Sequence, residues 1–243
     1  MAKKVLLDYS NSNSRIIRST NIKMKGTGAI KSPLDVRNIK TSTIRKDGVA
    51  GSSEYPESYF TDISIIPVWD QGSKPSCVAH AIGTMKEYFD TIDTGSFVRY
   101  SKRGFYARCK ATDGIPNVDG TYPGKAMSII KSEGIADESL IKDDITLSRE
   151  EYNNPGIAEK EFANAQPKII RSYAWAHSND FEGLKHDIFD FKLVAVLISL
   201  DNQFFHYTGG VLPIPKTRLS GHEMVAYGYD KDYIYFRNSH GED

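Results

Sequence analysis

The sequence predicts an α+β fold with a helical part followed by a β-rich part, and three observations predict it. Helix-period apolar stripes recur between positions 77 and 191, strand-like runs take over from 193 onward, and a polar, basic stretch precedes both. The chain has 243 residues, 40% of them hydrophobic and 11% aromatic. That is enough apolar material for one domain with a real core, or for two lobes around a cleft.

Residues 1–54 form the basic stretch, an N-terminal arm with eleven Lys/Arg against four Asp/Glu. The chain as a whole is neutral, so residues 55–243 carry the matching acidic excess. Opposite fields attract within a Debye length, which favours an arm folded back on the body; a solvated leader is the other reading. Short strands or turns fit Ser14–Arg18, but no helix-length period appears. The stretch Gly48–Ser53 reads as a linker, and the denser body opens at Tyr55-Pro56-Glu57-Ser58.

Within the body, apolar Ile63–Val68 leads into the loop Asp70-Gln71-Gly72-Ser73-Lys74-Pro75. From Cys77 to Asp90, Val78, Ala81, Ile82, Met85, Tyr88 and Phe89 fall on one helical stripe, with Ser76 at the N-cap position. Further helices are expected at Lys102–Lys110, at Gly124–Ser132 (closed by Glu133-Gly134) and around Asn179–Phe191. The apolar run Leu193–Leu200 reads as a buried strand, and Val211, Leu212 and Ile214 as strand-like positions interrupted by prolines. His222–Tyr229 and Tyr233–Asn238 flank Asp230-Lys231-Asp232, the signature of a hairpin.

Several functional classes lose support. Two cysteines, Cys77 and Cys109, are too few for a secreted disulfide scaffold, so a cytoplasmic or other reducing compartment is expected. Val5-Leu-Leu7 is far short of a signal-peptide core, and no apolar run is long enough for a membrane helix. No Cys/His cluster has metal-ligand spacing, no cofactor motif stands out, and Lys25-Gly-Thr-Gly-Ala-Ile-Lys31 lacks the context of a phosphate loop. No basic stretch interleaved with aromatics points to nucleic acid. The expected partner is a protein or peptide substrate, with neither nucleic acid nor membrane.

What remains is a nucleophile constellation. Cys77 at a helix start meets unpaired backbone N–H groups and the positive end of the helix dipole, both of which favour thiolate. A hairpin pivoting on Lys231 or its neighbours, with opposed positions summing to about 460, sets His222 opposite Asn238, whose carbonyl can fix the imidazole tautomer and leave the other nitrogen as base. Gln71, six residues before Cys77, can offer its amide beside the Cys77 N–H to a developing oxyanion. His80, one turn after Cys77, reads as a structural helix histidine, and His177, His186 and His206 have no partner pattern.

These residues also carry a family likeness. Asp70-Gln71-Gly72-Ser73-Lys74-Pro75-Ser76-Cys77-Val78-Ala79-His80-Ala81 resembles the DQGxxGSCWAFA segment of papain-like (C1) cysteine peptidases. Ser220-Gly221-His222-Glu223-Met224-Val225 resembles the family's GHAV strand, and Phe236-Arg237-Asn238-Ser239 its NSWG segment. Tyr55–Ser58, Lys192–Leu200 and Phe205–Val211 match weaker segments in the right order, so the likeness spans roughly 55–241 and follows the disulfide-poor bacterial and viral members.

The resemblance implies a papain-like two-lobed fold, helical left and β-rich right, with the cleft between. It implies a cysteine endopeptidase in which Cys77 attacks, His222 shuttles the proton, Asn238 orients His222, and Gln71 binds the oxyanion on the way to a thioester. Asp119, Gly120 and Thr121 would pair with substrate backbone, and Glu223 would lie by the pocket for the P2 side chain and favour a basic or polar one. Residues 1–54 would be a short inhibitory pro-segment or an inert leader. The sequence departs from the family pattern at Lys74, Val78, His80 and His240 (in place of the usual disulfide Cys, Trp, Phe and shielding Trp). It also stops at Asp243, where a shortened domain is expected. Amide-transfer chemistry on the same triad and a catalytically inactive binding module stay open as alternatives.

Overall fold

The computed structural model describes residues 5–8, 26–33, 35, 39–46, 54–154, 156, 159–176, 180–207 and 209–241. In chain order the elements are β1 (Val5–Asp8), α1 (Thr41–Lys46), β2 (Tyr59–Phe60), α2 (Cys77–Thr94), α3 (Lys102–Thr112), α4 (Pro123–Ser132), α5 (Arg149–Asn153) and α6 (Glu159–Ala165). A 3-10 turn at Gln166–Lys168 follows, then α7 (Phe181–Phe191), β3 (Val194–Leu200), α8 (Asn202–Phe205), β4 (Gly210–Leu212), β5 (Ser220–Tyr229) and β6 (Tyr233–Arg237). The turns expected at Ser14–Arg18 and the linker Gly48–Ser53 fall outside the described residues.

The expected helices form, with ends displaced by a few residues. α2 runs on to Thr94 and stops where Gly95 takes a left-handed backbone. Its stripe is buried at Val78, Ala81, Ile82 and Tyr88, while Phe89 turns outward. Burial also extends to His80, Thr84, Lys86 and Glu87, because α2 is enclosed on several sides between the lobes. Within that set, Glu87 accepts from Trp69 Nε1 at 2.8 Å and pairs with the buried Lys102, and Lys86 pairs with Asp90. Burial pulls the Lys102 ammonium down to about 8 against the pull of Glu87.

Two cores result, with a third between them. Val78, Ile82, Phe105, Tyr106, Cys109, Ile129, Ile130 and Ile135 fill the helical lobe. Leu184, Ile188, Leu200, Phe204, Met224, Ile234 and Phe236 fill the sheet lobe. Ile63, Ile66, Ala81, Tyr88, Leu193 and Val225 join the two. Each fully buried Ile or Leu contributes about 1.5–3 kcal/mol, so the middle cluster alone can hold the lobes in fixed relation.

The sheet is built around β5. β3 runs antiparallel along it from Val194↔Ala226 to Leu200↔Ser220, and β2 continues that edge at Tyr59↔Tyr229. β6 lies on the other side, followed by β1 and then β4. The β5–β6 turn closes because Asp230 Oδ1 accepts from the backbone N–H groups of Asp232 and Tyr233 at 2.9 and 2.8 Å. The register differs from the expected one. Val225 pairs with Arg237 and Ala226 with Phe236, and a bulge at Tyr227 shifts the remaining pairs. His222 is therefore not directly opposite Asn238, which lies just past the end of β6.

The basic arm is more structured than its composition suggests. β1 inserts between β6 and β4, and α1 forms one and a half turns, which no periodicity announced. No described helix is long and apolar enough to cross a membrane.

Candidate active site

Cys77 is the first residue of α2, and its sulfur faces the backbone N–H groups of Glu223, Val78 and Ala29. Burial dominates and pushes the thiol up to about 12, while these three N–H groups act in the opposite direction. The Glu223 N–H belongs to the residue that follows His222, so β5 brings the backbone next to the histidine up to the thiol.

His222 is fully buried, and its Nε2 lies 2.7 Å from Asn238 Oδ1. An amide oxygen only accepts, so Nε2 carries the proton and Nδ1 is the basic nitrogen. Asn238 reaches back from beyond β6 with its side chain, which compensates for the shifted register. Its Oδ1 also accepts from the Ser239 N–H at 2.8 Å, which fixes the amide. The His240 ring stacks on His222 with centroids 5.0 Å apart and planes 9° apart, and Phe204 sits 5.2 Å from His222. The residue that departs from the family's tryptophan thus still covers the imidazole.

Gln71 is held from several sides in the loop before α2. Its N–H donates to Ser239 O at 2.8 Å, its Oε1 accepts from Ser239 Oγ, and its Nε2 donates to Lys74 O at 2.7 Å. The same Nε2 also donates to Gly26 O at 3.1 Å. The amide that the sequence nominates for an oxyanion is thus already bonded to two carbonyls, one of them supplied by the arm.

Residues Gly26–Ile30 lie across the site. Gly26 N–H donates to Gly72 O at 2.7 Å, and the N–H groups of Gly28 and Ala29 both donate to Gly221 O, at 3.1 and 3.0 Å. Thr121 N–H donates to Gly28 O at 2.9 Å and Ile30 N–H to Thr121 O at 3.0 Å, a parallel bridge. The approach is too close for side chains. A Cβ on Gly26 would meet Lys74 O at 2.0 Å, and one on Gly28 would meet Pro75 O at 2.5 Å.

The predicted substrate-binding residues land in different surroundings. Thr121 is buried and pairs with the arm, whereas Gly120 has a left-handed backbone and gives its carbonyl to Lys110 Nζ at 3.0 Å. Asp119 is half exposed and pairs with Arg149 at 2.8 Å. Glu223 is only 2% exposed and, by strand alternation, points to the opposite face from His222, toward α2. There it borders a small pocket shared with His80, Thr84, Arg237 and Asn238, where its Oε2 has no hydrogen-bond partner among the described residues. Burial raises this carboxyl to about 8.

Some participants carried no sequence signal of their own. Gly221 and Gly28 act through backbone atoms, and Phe204 is an ordinary core aromatic by pattern. Ser239 was visible only as part of the Asn-Ser pair. Among the described residues no group of His, Cys, Asp and Glu is arranged to hold a metal ion.

No family model matches the chain. It is 24% identical to papain of Carica papaya over 225 residues, which is 90% of this chain and 60% of that relative's length. Among solved structures it resembles xylellain, a cysteine protease from Xylella fastidiosa, with a TM-score of 0.71 at 22% identity over 92% of this chain and 87% of the other. It also resembles digestive procathepsin L 3 of Tenebrio molitor larval midgut, with a TM-score of 0.65 at 20% identity, covering 90% and 67%. These structural likenesses establish the α+β two-lobed fold.

Proposed function

We propose that this chain, papain-like in sequence and in fold, is a cysteine endopeptidase with Cys77 as nucleophile and His222 as general base. The observation that carries the reading is the Nε2–Asn238 bond, which leaves Nδ1 of His222 as the nitrogen able to act as base. Cys77 attacks the scissile carbonyl as its proton passes to Nδ1. The tetrahedral oxyanion is received by the Gln71 amide and the Cys77 N–H. The amine leaves with the proton from His222, and water then cleaves the thioester by the reverse sequence.

In the described state the arm fills this site, which supports autoinhibition by residues 26–30. The arm takes the Gln71 amide, the Gly221 carbonyl and both backbone groups of Thr121, all of which a bound peptide would need. Activity then requires the arm to be displaced or removed. The buried charge network and the retained Gln71, His222 and Asn238 favour an enzyme over a binding module.

The test is thiol labelling near neutral pH with iodoacetamide or an epoxide, followed by site mapping. Modification of Cys77 is expected to outpace that of Cys109 and to depend on His222, and a His222→Ala chain should lose the difference. Equal slow labelling of both thiols, in the intact chain and after arm removal, would sink the enzymatic reading.

A further inference from the structure

Behind the nucleophile lies a ring of side chains that starts and ends on Ser76. The Tyr152 hydroxyl donates to Asp143 Oδ1 at 2.8 Å and lies 3.1 Å from Ser76 Oγ. Since the tyrosine proton goes to the carboxylate, the serine hydroxyl is the donor of the second bond. Asp143 Oδ2 is 3.3 Å from His80 Nε2, and His80 Nδ1 is 3.0 Å from the Ser76 carbonyl. A carbonyl accepts only, so Nδ1 donates to it. Three directions are therefore fixed: the Ser76 hydroxyl donates to Tyr152, Tyr152 donates to Asp143, and His80 Nδ1 donates to the Ser76 carbonyl, with His80 Nε2 facing Asp143.

Ser76 occupies the N-cap of α2, yet its side chain makes no capping bond. A capping serine accepts from the N–H of the second or third helical residue, here Val78 or Ala79. The Val78 N–H instead faces the Cys77 sulfur. Ser76, His80 and Tyr152 are buried and the Asp143 side chain is 9% exposed; burial of Asp143 is outweighed by His80 and Tyr152, which hold its carboxyl below the usual range.

We propose that Tyr152, Asp143 and His80 are positioning residues of the reaction: by holding Ser76 at its hydroxyl and its carbonyl they keep it from capping α2 and reserve the Val78 N–H for the Cys77 thiolate. An N-cap that satisfied this N–H would stabilise the helix and take away a hydrogen bond from the nucleophile. The ring directs the serine away, at the cost of a weaker helix start. The proposal rests on Cys77 as the nucleophile.

The test follows the pH dependence of Cys77 alkylation by iodoacetamide in the full chain. Tyr152→Phe frees the serine hydroxyl to cap, and the Cys77 titration midpoint should rise by about one unit, a tenfold loss of thiolate below it. Ser76→Ala removes the hydroxyl, so that no cap can form, and should leave the midpoint at its wild-type position. The double variant Ser76→Ala/Tyr152→Phe should return the midpoint to that position, a rescue that a merely structural role does not produce. An unshifted midpoint in Tyr152→Phe, or a double variant as shifted as Tyr152→Phe alone, would overturn the proposal. Should Tyr152→Phe fail to fold, a raised midpoint in Ser76→Ala overturns it equally. Loss of His222 dependence in the wild-type chain would be a separate failure, that of the peptidase reading.

Discussion

Cys77 and Cys109 stand on neighbouring helices, belong to one core cluster and are equally inaccessible. Burial raises both thiols. What differs is what else reaches each sulfur. Cys109 sits inside α3, where burial is joined by the charge of Asp113, which raises the thiol further. Cys77 sits at a helix start and receives three backbone N–H groups, one from the removable arm. Burial alone makes an inert cysteine. A latent nucleophile needs burial of a kind that can be undone, over a site already arranged for the anion.

The widest separation between the two thiols should appear on deletion. Cys77→Ala is expected to lower peptide hydrolysis by the arm-displaced enzyme at least about a thousandfold, as loss of a covalent nucleophile does. Cys109→Ala should keep the activity and lower stability by about 1 kcal/mol for the small void, measured by denaturant unfolding. Similar activity losses in both would break the comparison.

The arm is the next lever. Gly28→Ala forces a Cβ against Pro75 O and Gly120 Cα, a clash on the scale of about 1–3 kcal/mol, and Cys77 labelling should accelerate about 5- to 150-fold while Cys109 labelling stays constant. Acceleration of both thiols would mean general loosening. Asn238→Ala should reduce kcat/KM about 10- to 100-fold through a disoriented His222, with little change in Cys109 reactivity.

The smallest effect concerns stability against pH. Glu223 holds its proton to about pH 8 when folded, whereas the unfolded chain releases it near 4.5. The folded state binds more protons across that window, so stability falls as pH rises through it and levels off above. Glu223→Gln removes the penalty, and its gain in Tm over wild type should be absent at pH 4 and largest above pH 8. A gain independent of pH would show that the carboxyl ionises normally.

Much of the site was readable because its parts are local. The helix-start cysteine, the hairpin and the Asn-Ser pair each lie in a short segment with its own pattern. The register was misjudged at the turn, where Tyr229 already faces Ile234 rather than a residue nearer the turn, and the bulge at Tyr227 moves the later pairs by only one position. The Ser76 ring was out of reach for another reason. Tyr152 and Asp143 enter from 76 and 67 positions away, and a tyrosine on a five-residue helix has no periodicity to announce it. His80 read as structural from its helix position alone; its two partners give it a role that a single-residue reading does not contain.

The arm's hold on the cleft has a consequence for how such a chain changes over generations. Apart from Thr27 Oγ1 against Ser220 Oγ at 2.7 Å, the hydrogen bonds of Gly26–Ile30 described above run through its main chain. Main-chain recognition is indifferent to most side-chain identities, so the sequence of this segment can drift widely while two positions stay without a Cβ. If the arm inhibits as proposed, a single point mutation at either glycine is enough to change how much of the population is switched on, without touching a residue that does chemistry. On that reading, dosage of activity and the chemistry itself can evolve separately.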